Sequence, residues 1–204
     1  MALEFQGHGR TSDRAADSSF EQDADDVAAL MHHLSIEKSD ILGFSNGGTT
    51  AIQLSIRHPQ LVDKLVLGSA LAKRDGVPEG FWEFMKTASL ENMPPLLQQA
   101  FLKVNPGDST GLQRMHDLDA KRMVHFQDIP DKQLQSISSP TLVISSNKDV
   151  ILPEHSLLLS RLIPQAELLI VPGLHGEFLG EVTTTGKLYE NVIPLIQEFL
   201  EREN

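Results

Sequence analysis

No cysteine occurs anywhere in the 204 residues, so disulfides, thiolate metal sites and a cysteine nucleophile are excluded. That absence fits a reducing, cytoplasmic setting. Basic charge is scarce as well: 17 Lys and Arg stand against 28 Asp and Glu, a formal charge of -11. Nothing basic clusters to meet phosphates, which argues against nucleic acid, and the acidic excess reads as a solvated surface. No apolar run approaches the roughly 18 residues of a membrane span, so no membrane partner is expected. Met1 to Gln6 show no charged segment followed by an apolar one, and no secretory leader is expected. Aromatics are few, at nine Phe, one Trp and one Tyr. Hydrophobic residues nevertheless reach 40%, enough for a substantial core in one soluble domain.

Short apolar runs alternate with helical spacings along much of the chain, the signature of an α/β fold with a mostly parallel sheet flanked by helices. Strands are expected at Asp40–Phe44, Lys64–Ser69, Thr141–Ser145 and Glu167–Val171, and Met1–Phe5 reads as the end of another. Phe20 to Leu34 reads as an amphipathic helix with Ala24, Val27, Leu30, Met31 and Leu34 on its apolar face. Lys187 to Glu201 reads as a second, with Leu188, Val192, Leu195, Ile196, Phe199 and Leu200 inward and Pro194 as a kink. Between about Leu71 and Ser138 the alternation stops. The expected organisation is a core of residues 1–70 and 139–204 with a helical insertion at 71–138. That insertion reads as a lid whose Phe81, Trp82, Phe84 and Met85 line an acyl pocket or, alternatively, form the lid's own core.

Gly43-Phe44-Ser45-Asn46-Gly47-Gly48 lies between the apolar run Asp40-Ile41-Leu42 and a helical stretch from Thr49 to His58. This is a G-x-S-x-G turn in the strand–turn–helix context that exposes a serine hydroxyl at a helix N-terminus. Glycines flank it because side chains there would strike the neighbouring strand and helix. A serine hydroxyl is a poor nucleophile unless an imidazole accepts its proton and a carboxylate holds that imidazole's tautomer. On a parallel sheet such groups come from loops at the carboxyl ends of strands. Asp149 follows the strand at Thr141–Ser145, and His175 follows the next strand after Pro172-Gly173-Leu174. Glu177 is the rival carboxylate. No two histidines share a loop or helix face beside a carboxylate at ligand spacing, so no metal site is expected.

Four segments together resemble the α/β-hydrolase superfamily, in its lidded esterase, lactonase and proline-iminopeptidase-like group. They are Gln6-Gly7-His8-Gly9-Arg10-Thr11, Gly43–Gly48, Ser139 to Ile144 leading to Asp149, and Pro172-Gly173-Leu174-His175. The resemblance implies Ser45 as nucleophile, His175 as general base and acid, Asp149 as orienting carboxylate and the Asn46 N–H as one oxyanion donor. Phe44, Phe81, Trp82 and Met85 become substrate-contact candidates. It implies acyl transfer with a small-molecule acyl substrate and no cofactor. His8 is expected to be structural.

The same resemblance implies about 60 earlier residues carrying three strands and a loop with a second oxyanion donor. On that resemblance the fold is expected to be N-terminally incomplete, whether as a truncated chain or as a genuine short form. The strand at Asp40–Phe44 would then be an apolar edge open to pairing with a second copy of the chain. Two functions are expected to compete: a serine hydrolase cleaving a small carboxylic ester or related acyl compound, and a non-catalytic ligand- or protein-binding member of the fold.

Overall fold

Two expected strands are apolar almost throughout, and both lie in the middle of the sheet. In the computed structural model, which describes residues 1–14 and 16–203, four strands pair in parallel in the order β1-β2-β3-β4. They are β1 (Ser39–Phe44), β2 (Val62–Gly68), β3 (Thr141–Ser146) and β4 (Ala166–Val171). β2 and β3 are buried on both faces, as continuous apolar runs in a covered parallel sheet must be. β1 and β4 carry exposed positions and form the edges; Leu42 of β1 is 47% exposed. The register sets Phe44 beside Gly68, Gly68 beside Ile144 and Ser146 beside Val171, so the carboxyl ends of all four strands are level.

The chain divides into two compact units, residues 24–78 with 127–203 and residues 1–23 with 79–126. In the sheet unit, Val66, Leu142 and Ile144 pack with Phe178 and with Val192, Ile196 and Phe199 of α8 (Tyr189–Glu201). α8 runs through Pro194 as one helix. Its exposed Leu195 departs from the expected inner face, because Val192, Ile196 and Phe199 form the buried row and Leu195 sits at its margin. The C-terminus of α8 is closed by Lys64, a buried lysine whose Nζ donates to the carbonyls of Leu200, at 2.7 Å, and Arg202. α1 (Phe20–His33) corrects the sequence reading in the same way: Ala24, Val27, Ala28 and Met31 are buried, while Leu30 and Leu34 are exposed.

The helical unit contains α3 (Phe81–Lys86), α4 (Pro95–Val104) and α5 (Ser109–Val124). Its core is Phe101, Leu112 and Met115, with Leu90, Met93 and Leu102 packed against it. Asp108 caps α5 by accepting from the Gly111 N–H at 2.8 Å. Buried Arg122 joins Asp23 to Asp119, and its guanidinium lies 4.7 Å above the Phe20 ring. His8 Nε2 meets Asp119 at 2.9 Å; burial opposes a charge on His8, but the carboxylate outweighs it and raises its pKa.

Two expectations fail here for one reason. Met1–Phe5 is irregular rather than a strand, with Glu4 instead holding Arg10 and Thr11. Residues 1–23 group with 79–126, and the helical unit begins at 79 and ends at 126 instead of spanning 71–138. Specific bonds, invisible to hydropathy, decide both boundaries. Ser18 Oγ and His8 reach α5, whereas Ile129 N–H donates to Ala72 and Leu152 N–H to Gly76 inside the sheet unit.

Candidate active site

Each of β1, β2 and β3 is followed by a residue whose N–H is taken by the neighbouring strand. Ser45 N–H donates to Gly68, Ser69 N–H to Ile144 and Asn147 N–H to Val171, all at 2.8 Å. These bonds force sharp exits from the sheet. Ser45 leaves β1 at φ 55° and ψ -122°, and Ser69 leaves β2 at φ 47°, conformations that cost a non-glycine residue roughly 1–3 kcal/mol.

The elbow around Ser45 closes tightly. A Cβ on Gly43 would overlap the Gly47 carbonyl oxygen and lie 2.8 Å from the Gly48 Cα. One on Gly48 would lie 2.7 Å from the Ala70 Cβ. Only glycine allows α2 (Asn46–Arg57) to start this close to β1 and β2. Gly48 and Thr49 N–H groups both donate to the Ser45 carbonyl. Asn46 is the first residue of α2, so its N–H has no intrahelical partner four residues back and faces the positive end of the helix.

His175 reaches this elbow from the loop after β4. Its Nε2 is 3.1 Å from Ser45 Oγ and its Nδ1 is 2.6 Å from Asp149 Oδ1. The Phe44 ring lies 4.7 Å from the imidazole, tilted by 38°. The two loops are stitched together: Asn147 Oδ1 accepts from Gly173 N–H at 3.1 Å, and Lys148 N–H donates to the Gly173 carbonyl. Glu177 does not touch His175 in this arrangement; its carboxylate accepts from the Leu174 N–H at 2.9 Å and braces the loop.

Asp149 has a fully buried side chain. Burial pushes its pKa up, but His175, the Ser69 hydroxyl and the Ile151 N–H together hold it below the usual carboxylate value. Ser69 Oγ donates to Oδ2 at 2.6 Å and Ile151 N–H to Oδ1 at 3.0 Å. Sequence reasoning passed over Ser69; its only local signal is its place one residue beyond an apolar strand.

Phe81, Trp82 and Met85 fall on α3, in the helical unit. There Phe81 meets Trp82 edge-on at 5.0 Å, and Trp82 stacks on Phe126 at 5.8 Å. These rings are thus engaged with one another.

His155 is buried in α7 (Pro153–Leu162). Its Nε2 accepts from the Ala72 N–H at 3.0 Å, and burial lowers its pKa to about 4. The folded state therefore keeps His155 neutral, while an unfolded chain takes up a proton near pH 6.5. Stability is fully present above that pH and is lost as pH falls toward 4, by on the order of 2–3 kcal/mol. Denaturant titrations across that range should show a steep acid slope that flattens in His155→Gln, which keeps an acceptor without the titration.

A family model for the alpha/beta hydrolase fold matches residues 1–89. AB hydrolase superfamily protein YisY of Bacillus subtilis (strain 168) is 31% identical over 204 residues, covering 89% of this chain and 76% of that protein. The 2-hydroxymuconate semialdehyde hydrolase of Pseudomonas sp. (strain CF600) is 27% identical over 179 residues, 77% of this chain and 62% of that one. Among solved structures, meta-cleavage product hydrolase CumD from Pseudomonas fluorescens IP01 aligns with a TM-score of 0.74 at 25% identity, covering 96% of this chain and 76% of its own.

Proposed function

We propose a serine hydrolase, starting from the fact that this chain belongs to the α/β-hydrolase superfamily. Its substrate is a small carboxylic ester or related acyl compound, cleaved through an acyl-enzyme. The observation that carries this reading is the unbroken chain Ser45 Oγ, His175 Nε2, His175 Nδ1, Asp149 Oδ1, with separations of 3.1 Å and 2.6 Å.

Ser45 Oγ attacks the acyl carbon as its proton passes to His175 Nε2. The carboxylate of Asp149 holds Nδ1–H and stabilises the imidazolium. Charge gathers on the former carbonyl oxygen, where the Asn46 N–H and the N-terminus of α2 offset it. Collapse expels the alcohol, which leaves with the proton from Nε2. A water then gives a proton to Nε2, attacks the acyl-enzyme and releases the acid with Ser45 restored. In this reading Phe44, whose ring lies against the imidazole, contacts the acyl group.

A second reading is supported by the names of two relatives, a semialdehyde hydrolase and a meta-cleavage product hydrolase. In it, the substrate is a semialdehyde or meta-cleavage product rather than an ester. Incubation with a fluorophosphonate probe, a short-chain p-nitrophenyl ester and 2-hydroxymuconate semialdehyde tests both. Labelling with ester turnover is expected. A folded protein that neither labels nor turns over any of these compounds would leave binding as the function of the fold.

A further inference from the structure

We propose that Ser69 is a positioning residue for Asp149: its hydroxyl holds Oδ2 so that Oδ1 faces His175. This rests on the hydrolase reading above for its consequence in turnover, but not for the hydrogen bond itself. The Asp149 carboxylate is shut off from water, so each oxygen needs protein donors. Oδ1 has His175 Nδ1 and the Ile151 N–H. Oδ2 has the Ser69 hydroxyl at 2.6 Å, while the Ser146 N–H stands at 3.5 Å, the limit of a useful bond. Ser69 is therefore the one strong donor to that oxygen among the described residues. Without it the carboxylate is free to rotate, and the separation of its two faces is lost.

The backbone supports the same conclusion. Ser69 sits at φ 47°, where glycine would relax and serine is strained. Backbone strain of this kind clusters at functional sites, and here it carries a hydroxyl bonded to the Asp149 carboxylate. The mounting is rigid: Ser69 N–H is bonded to Ile144, and Ala70 lies against Gly48. Thr49 Oγ1 donates to the Leu71 carbonyl at 2.8 Å and accepts from its N–H at 3.3 Å. Gly48 and Thr49 are in the first turn of the helix that begins after Ser45. One short segment thus ties the nucleophile's helix to the carboxylate that orients its base.

The test compares wild type with Ser69→Gly and Ser69→Ala. Glycine suits the backbone at this position, so the glycine variant separates the missing hydroxyl from any folding defect. Both variants should lower kcat roughly ten- to a hundredfold, the worth of a hydrogen bond to a charged group, with KM little changed. The acid limb of the kcat/KM profile should move to higher pH, because an Asp149 with one donor fewer is easier to protonate. A second readout is independent of turnover: the downfield proton resonance of His175 Nδ1–H, identified by its loss in His175→Ala, should shift or broaden in both variants. A glycine variant with unchanged kcat, pH profile and resonance overturns the proposal. If wild type shows the resonance but no turnover, and the variants move it, the hydrolase reading falls and the role of Ser69 stands. A folded wild type with neither turnover nor resonance overturns both.

Discussion

Ser45→Ala should end covalent labelling by a fluorophosphonate and lower ester turnover roughly ten-thousand- to a millionfold. The size follows from what one oxygen does in the arrangement. In the proposed reaction Ser45 Oγ bonds to the acyl carbon and gives its proton to His175 Nε2, 3.1 Å away. Alanine removes both roles at once, and a water in its place has neither the elbow's orientation nor its proximity. The fold should survive. Alanine carries the same Cβ, so the strain at φ 55° is unchanged, and the bonds that shape the elbow use the Ser45 N–H and carbonyl. Melting temperature and circular dichroism close to wild type would therefore accompany the loss. Turnover that persists undiminished in Ser45→Ala would remove this serine from the chemistry.

Asp149→Asn should cost roughly ten-thousandfold in kcat with the fold intact. An amide keeps the shape but brings one acceptor and two donated hydrogens to a place surrounded by donors: His175 Nδ1–H, Ile151 N–H and the Ser69 hydroxyl. In one orientation the amide oxygen faces Nδ1 and Ser69 turns its hydroxyl to accept from Nδ2; geometry survives, but the charge that stabilises the imidazolium is gone. In the other, Nδ2–H faces His175, whose proton moves to Nε2 and blocks it as a base. Both orientations slow acylation. The substitution also alters acid sensitivity. Asp149 is held below the usual carboxylate value, so it contributes stability at neutral pH that fades as pH falls through its folded pKa. The asparagine variant should lack that part of the acid dependence. Rates within tenfold of wild type would mean that another carboxylate serves His175.

The elbow could be seen in the sequence because its constraint is local. Gly43 and Gly48 are required by contacts within six residues or with the adjacent strand, and a serine between them has little else to do. The four parallel strands were visible as short apolar runs between helical spacings, and their order in the chain put Asp149 and His175 at the same rim. Ser69 was hidden for the opposite reason: its partner is 80 residues away, and a serine after a strand looks like any turn residue. Leu30, Leu34 and Leu195 were misplaced because hydropathy reports apolarity and not which side of a helix meets a neighbour. Met1–Phe5 reads as strand by composition, but a strand exists only where another lies beside it, and no pattern in five residues reports that.

Parallel order also sets when the site comes into being. Ser45 and His175 lie 130 residues apart, on loops from opposite edges of the sheet, and each pairing between them closes by a long crossover. Such distant closures are slow compared with helix formation. Until β4 and its loop dock, no imidazole stands beside Ser45, and in the hydrolase reading the serine is without its base. In the hydrolase reading, reactivity toward a serine probe therefore reports only those chains in which β1 and β4 are both built into the sheet.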